Sequence, residues 1–222
     1  MAKLYLQRHL KSQWNLDNRY AGWCDNPLSK EGSDMAKTAA DNMQGQHFDC
    51  VYTSPLMRNK QTVVKVLRNF ESRYPLFIHL DGGRMQKWGN FDKIDVSSLP
   101  VYVSEKLNER YYGDWQGLNK EEIIQKYGAE RVKQLKRSYN EAPPGGESGK
   151  DVCKRVIPFF EKYIMKDLQD GKNVLVVASH NSLRAIIKYI ENISDEKFGD
   201  LELTFGALAK YDFDGKNYTK LQ

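Results

Sequence analysis

Asn173-Val174-Leu175-Val176-Val177-Ala178, followed at once by Ser179-His180-Asn181-Ser182, is the stretch from which the fold is read. Its apolar run is short and unbroken, the mark of a strand buried on both faces of a parallel sheet. Leu183 to Glu191 follows as a helix. Working outward, strands and helices alternate along the chain. Lys3-Leu4-Tyr5-Leu6-Gln7 alternates as a strand and delivers Arg8-His9. Phe48 to Tyr52 reads as a second short strand, running through Thr53-Ser54-Pro55 into a helix from Leu56 to Glu71. Val63, Val64, Leu67 and Phe70 form the apolar stripe of that helix. Leu76 to His79 is a third strand candidate, Val101 to Val103 a short extended piece, and Ala207 to Phe213 a last strand before a turn at Asp214-Gly215. Ser29 caps a helix start ahead of a helical segment from Asp34 to Met43. Short helices are expected around Lys120 to Lys126 and Glu130 to Tyr139. After the break at Pro143-Pro144-Gly145-Gly146, Glu147-Ser148 opens a long helix to about Leu168, with Val152, Val156, Phe159, Phe160 and Tyr163 as its core stripe. This alternation predicts one α/β domain over residues 1–222, in three layers, with a mostly parallel central sheet and helices on both faces. The stretch from Asp81 to Ser98 has no period. It reads as a surface excursion whose Trp88 and Phe91 cover something.

In an open parallel sheet the ligand sits off the carboxyl ends of the strands. His9 and His180 both follow predicted strands at that edge, so two histidines remote in the chain can meet there. An arginine clamps phosphate oxygens through a planar fork of donors, and a neighbouring imidazole can attack phosphorus. Taken alone, Arg8-His9 reads more readily as a strand ending in two polar surface residues. The totals narrow the choice. The net charge is +5 over 222 residues, with Lys and Arg spread among acidic residues. That suits an anionic small molecule; nucleic acid calls for a clustered basic stripe. Cys24, Cys50 and Cys153 are odd in number and lack CxxC spacing, which suits free thiols in a reducing, cytoplasmic setting. Neither an N-terminal apolar leader nor a run of about 18 apolar residues is present, so secretion and a membrane span are not supported. Gly145 to Lys150 has the wrong spacing for a phosphate loop, because Pro144 stands in place of the first glycine and Asp151 follows the lysine. Asp212-x-Asp214-Gly215 lacks the remaining ligands of a calcium loop. His47 and His79 are isolated.

Arg8-His9-Leu10-Lys11-Ser12-Gln13-Trp14-Asn15, Ala21-Gly22-Trp23, Ser54-Pro55-Leu56 with Arg58, and Gln61-Thr62 occur in that order. Leu107-Asn108-Glu109-Arg110-Tyr111-Tyr112-Gly113, Gln116-Gly117-Leu118-Asn119-Lys120, Arg137-Ser138-Tyr139 and Asn181-Ser182-Leu183-Arg184-Ala185 complete the series. Together they resemble the histidine phosphatase superfamily, and more closely its cofactor-dependent phosphoglycerate mutases. The likeness runs almost the whole length, interrupted mainly by the 81–98 excursion. It implies that His9 is the nucleophile that becomes phosphohistidine, with Arg8, Arg58 and a second histidine, His180, around the phosphoryl group. It implies Glu109 as the general acid and base. Arg110, Tyr112, Lys120, Lys136 and Arg137 would hold the carboxylate and second phosphate of a small phosphorylated sugar acid, with Asn15, Ala21, Gly22 and Asn181 completing the pocket. The implied cofactor is 2,3-bisphosphoglycerate as priming phosphoryl donor, without a metal. The implied reaction interconverts 3- and 2-phosphoglycerate. A homo-oligomer is compatible with all of this.

The sequence departs from the family pattern at several points. Leu10 and Lys11 replace a glycine and a glutamate after the nucleophile, and a leucine there is expected to strain any backbone of positive φ. Where the family has Ala-His-Gly-Asn-Ser, this chain has Ala178-Ser179-His180-Asn181-Ser182. Either Ser179 takes the histidine slot or His180 keeps the role through an early turn of the backbone, the reading favoured here. Lys136 replaces an arginine, exchanging a fork for a point charge. The short segment after Pro143 and the brief polar tail make a poor lid, which favours hydrolysis of the phosphoenzyme. Two alternatives therefore stand beside the mutase: a histidine phosphatase acting on small phosphoesters, and a catalytically impaired paralogue that only binds phosphorylated ligands.

Overall fold

The computed structural model describes residues 1–91 and 93–221. Its strands are β1 (Ala2–Arg8), β2 (Cys50–Thr53), β3 (Tyr74–His79), β4 (Ser98–Val103), β5 (Val174–Ala178), β6 (Leu208–Phe213) and β7 (Tyr218–Lys220). They form one sheet in the order β3-β4-β2-β5-β1-β6-β7. From β3 across to β1 every pairing is parallel, and β6 and β7 close the far side antiparallel. The helices are α1 (Gln13–Leu16), α2 (Lys30–Asp34), α3 (Ala36–Asp41), α4 (Met57–Leu67), α5 (Gly83–Gly89), α6 (Lys120–Tyr127), α7 (Ala129–Arg137), α8 (Gly149–Phe159), α9 (Lys166–Gln169) and α10 (His180–Ile190).

β5 sits at the centre with all its residues buried. Its side chains alternate between two cores, as the pleat requires. Val174, Val176 and Ala178 join Leu4 and Leu6 of β1 under α8 and α10. Leu175 and Val177 join Tyr5 under α3 and α4. The apolar run is unbroken because both faces are covered. The parallel register pairs Arg8 with Ala178, so β1 and β5 end together. The His9 N–H continues the ladder by donating to the Ala178 carbonyl at 3.0 Å. That register sets His9 and the Ser179-His180 pair side by side.

Three expectations change. The strand at Ala207–Phe213 is not the last, because the turn at Asp214-Gly215 folds the chain back and β7 pairs with β6. The long helix after Ser148 is not uniform. A capping box at Ser148 and Asp151 starts it, but α8 gives way to a π-helical turn at Phe160–Met165 before α9. Pro158 lies inside α8 and has no N–H to donate, and the wider turn follows at once. The 81–98 excursion contains α5, and its aromatics are largely exposed instead of covering a core: Trp88 is 75% and Phe91 60% exposed. The excursion is pinned instead by Asn90, whose side chain bonds the backbone N–H and carbonyl of His79 at 2.8 and 2.9 Å. Among the described residues, no helix is long and apolar enough to cross a membrane.

Candidate active site

At the carboxyl ends of β1 and β5 lies a cavity of about 270 Å³. It is lined by Arg8, His9, Asn15, Arg19, Tyr20, Ala21, Gly22, Arg58, Glu109, Tyr112, Lys120, Lys136, Arg137, His180, Arg184, Glu202 and Phe205. The sheet edge contributes Arg8 and His9, and the turn after β5 contributes His180. Arg58 comes from the first turn of α4, and the loop between α1 and α2 holds its guanidinium: Gly22 and Cys24 carbonyls accept from it at 2.7 and 3.0 Å. α6 and α7 pack over a small separate core of Tyr20, Trp115, Ile123, Val132 and Leu135. That packing delivers Lys120 at the start of α6 and Lys136 and Arg137 at the end of α7.

His9 is 2% exposed, and its Nδ1 lies 2.7 Å from the Leu10 carbonyl. A carbonyl can only accept, so Nδ1 carries the hydrogen and the Nε2 lone pair is left available. Burial, then Arg58 and Arg8, hold the imidazole well below its ordinary pKa, so it is neutral. Arg8 and Arg58 each keep a buried Nε–H with no partner among the described residues. Phe205 lies over the Arg8 guanidinium, 3.9 Å from it to the ring centroid. The other cations crowd one another. Burial pulls Lys120 below its ordinary range, helped by Lys136 and Arg8. Burial also lowers Lys136, with Glu202 opposing and Arg184 and Arg137 adding to the shift. Unpartnered buried donors beside mutually repelling cations are what an anion of more than one charged group would satisfy.

Glu109 is 8% exposed. Its Oε1 accepts from the N–H of Arg110 at 2.7 Å, from the N–H of Asn181 at 3.2 Å and from Asn181 Nδ2 at 2.9 Å. Oε2 carries no hydrogen bond among the described residues. One oxygen is anchored and the other is open to the cavity's contents.

Of the residues singled out from the sequence, His9, Arg8, Arg58, Glu109, His180, Asn15, Ala21, Gly22, Tyr112, Lys120, Lys136 and Arg137 line the cavity together. Two do not. Arg110 is wholly buried, and its guanidinium bonds the carbonyls of Glu147, Lys136, Leu135 and Glu141. It ties α7 to the segment before α8 instead of facing a ligand. Asn181 stands behind Glu109 and Tyr112 and positions them. Between Ser179 and His180, the cavity-facing residue is His180. Ser179 is fully buried at the N-cap of α10, with its Oγ accepting from Asn59 at 3.3 Å. His180 is itself occupied, since its Nε2 accepts from the Leu203 N–H at 3.3 Å. The expected strain at Leu10 is absent: Leu10 keeps a negative φ and is fully buried, and Lys11 pairs with Glu31 at 2.9 Å.

Arg19, Tyr20, Arg184, Glu202 and Phe205 also line the cavity. Arg184 lay within a quoted motif, and Tyr20 adjoined Ala21. Glu202 and Phe205 lie on a loop with no periodicity, and nothing in the sequence marked them.

The family model for the histidine phosphatase superfamily (branch 1) matches residues 4–89 and 91–222. The chain is 42% identical over 221 residues to the 2,3-bisphosphoglycerate-dependent phosphoglycerate mutase of Gloeothece citriformis, covering 96% of this chain and 95% of that protein. It is 40% identical to the protein of the same name from Methanococcus vannielii, covering 100% of this chain and 94% of that protein. Among solved structures, a mycobacterial glucosyl-3-phosphoglycerate phosphatase in complex with VO3 superimposes with a TM-score of 0.77 at 21% identity, over 99% of this chain and 97% of that one. At that identity the likeness speaks for the fold. With nearly its whole length matched by the family model and by relatives at about 40% identity, and with paired histidines beside arginines at the carboxyl edge of a parallel sheet, the chain belongs to the histidine phosphatase superfamily, branch 1.

Proposed function

We propose that this chain is a phosphoglycerate mutase that interconverts 3- and 2-phosphoglycerate through phosphorylated His9, primed by 2,3-bisphosphoglycerate. The observation that carries this reading is a neutral, buried imidazole with an available Nε2, set between Arg8 and Arg58 in a cavity that holds further cations. The names borne by relatives at about 40% identity support it.

The residues present fit a bisphosphorylated sugar acid. Arg8 and Arg58 have unpartnered Nε–H donors for one phosphoryl group, and Lys120, Lys136, Arg137 and Arg184 offer charge for the second phosphate and the carboxylate. Bound there, 2,3-bisphosphoglycerate supplies the first phosphoryl group. When phosphorylated, His9 returns the group as a sugar-acid hydroxyl oxygen bonds phosphorus and the bond from Nε2 to phosphorus breaks; on the outward transfer the Nε2 lone pair forms that bond as the bond from phosphorus to the sugar-acid oxygen breaks. Glu109 gives its proton to that departing oxygen and takes one from the attacking hydroxyl on return. Charge developing on the equatorial oxygens is met by Arg8 and Arg58, in place before the reaction begins.

Hydrolysis is the second reading, and one observation favours it. The tail from 214 to 221 is folded back as β7 and contributes nothing to the cavity lining, so it does not exclude water. One assay separates the two: 3-phosphoglycerate with a trace of 2,3-bisphosphoglycerate yields 2-phosphoglycerate from a mutase and inorganic phosphate from a phosphatase. Labelled 2,3-bisphosphoglycerate should leave an acid-labile label that His9→Ala abolishes. A wild-type chain that takes no label would instead be a binder of phosphorylated ligands.

A further inference from the structure

Of the two carboxylates lining the cavity among the described residues, Glu109 has a place in the transfer chemistry and Glu202 has none. Glu202 is set against the cations all the same. Its Oε1 lies 2.9 Å from Arg184 Nη2 and 3.6 Å from Arg137 Nη2. The backbone on either side of it is tied down. Arg184 Nε donates to the Leu201 carbonyl, Arg8 Nη1 donates to the Leu203 carbonyl, and the Leu203 N–H donates to His180. The loop is therefore held while the Glu202 side chain, 58% exposed, has room to swing outward. The Arg137 pair is exposed on both sides, and in the Arg184 pair the Glu202 carboxylate stays in solvent although Arg184 is 5% exposed, so water screens it and it yields to a better anion. Arg137 and Arg184 thus have an internal carboxylate where a ligand's own carboxylate or second phosphate would be held.

We infer that Glu202 is a specificity-determining residue: its carboxylate occupies Arg137 and Arg184 until a ligand carrying a second anionic group beside its phosphate displaces it. The inference rests on the cavity being a site for phosphorylated sugar acids. A phosphoester with a neutral tail leaves Glu202 in place and gains nothing from these arginines. A ligand with a carboxylate must compete with Glu202, so removing the Glu202 charge helps that ligand alone.

The test is calorimetric binding of 3-phosphoglycerate and of glycerol 3-phosphate, which lacks the carboxylate, to the intact protein and to Glu202→Gln. The substitution should tighten 3-phosphoglycerate roughly two- to fivefold, the scale of one exposed ion pair, and leave glycerol 3-phosphate where it was. Glu202→Ala should act in the same direction. A mere strut for the loop would weaken both ligands when altered, so a gain confined to one cannot come from structural damage. Unchanged or weaker 3-phosphoglycerate binding, equal tightening of both ligands, or no binding of 3-phosphoglycerate to either protein would overturn the inference. A failure to form phosphohistidine or 2-phosphoglycerate would sink the mutase reading and leave the affinity ratio standing.

Discussion

His9 and Glu109 stand in contrasting surroundings. His9 is kept neutral by burial and two arginines, with its Nδ1 hydrogen committed to the Leu10 carbonyl. Glu109 has one oxygen held by three donors and the other unbonded. Glu109→Gln keeps the shape and removes the proton transfer, so turnover of 3-phosphoglycerate should fall by about 10²- to 10⁴-fold while phosphate binding persists. Loss of binding in step with turnover would assign Glu109 to the binding of ligand instead. Both cavity histidines also bear on stability. Burial, then Arg184 and Arg8, lower His180 to about 2, and His9 is likewise well below 6.5. Below the ordinary value of 6.5 the unfolded chain takes up protons at these rings that the folded protein refuses. Stability is therefore undiminished by this effect above pH 6.5 and falls as the pH drops, by up to about 1.4 kcal/mol per pH unit for each ring. Urea titrations at pH 6.5 and pH 5 should show a shallower loss for His180→Asn than for the parent, and equal slopes would mean that His180 protonates in the folded protein. The candidate nucleophile and the first arginines were legible as residue types at a strand end. The use of Arg110 was not, because a guanidinium in a binding motif reads alike whether it meets a ligand or four carbonyls of its own chain.

The segments Arg8–Ser12 and Leu201–Gly206 are built against each other, and this explains how Leu10 is tolerated. The Gly206 N–H donates to the Arg8 carbonyl at 3.2 Å, and Arg8 reaches the Leu203 carbonyl. A Cβ on Gly206 would lie 3.0 Å from Leu10 Cδ2, and Gly206 has φ of +73°. The volume added at Leu10 thus occupies space that a glycine leaves open across the interface. Gly206→Ala should lower unfolding stability by about 1–3 kcal/mol, from the left-handed backbone and the crowding of Leu10 together. A urea midpoint unchanged by the substitution would show that the two segments are not matched in this way. Phe205, the neighbour of Gly206, lies over the Arg8 guanidinium, so the substitution should also weaken phosphate binding. Pairings of this kind join residues nearly 200 positions apart, and no local period announces them. β7 escaped notice for a related reason: Tyr218–Lys220 is too short and polar to read as a strand until β6 offers an edge.

At the scale of the whole molecule, the sheet gathers the site and the charge gives it sign. Residues from both ends of the chain and from its middle line one cavity because β1 and β5 are adjacent and end in register. Seven of the lining residues are Lys or Arg against two carboxylates, on a chain of net charge +5. Such a field draws anionic substrate by long-range attraction. The kcat/KM for 3-phosphoglycerate should therefore fall several-fold between about 0.01 M and about 0.15 M salt, as the Debye length shrinks from about 30 Å to about 8 Å. A flat salt profile would show that attraction acts only at contact. By itself the sequence determined the α/β class, the buried central strand, the family, and the nucleophile candidate at the end of β1. Those follow from apolar periodicity and from motifs in order, which are properties of one dimension. Only the tertiary structure decided that His180 and not Ser179 faces the cavity, that Arg110 bonds carbonyls of its own chain, that Leu10 rests on Gly206, and that Glu202 pairs with Arg184 and Arg137. Each of those depends on where the backbone turns and on what a distant segment places opposite, which is settled only when the elements pack.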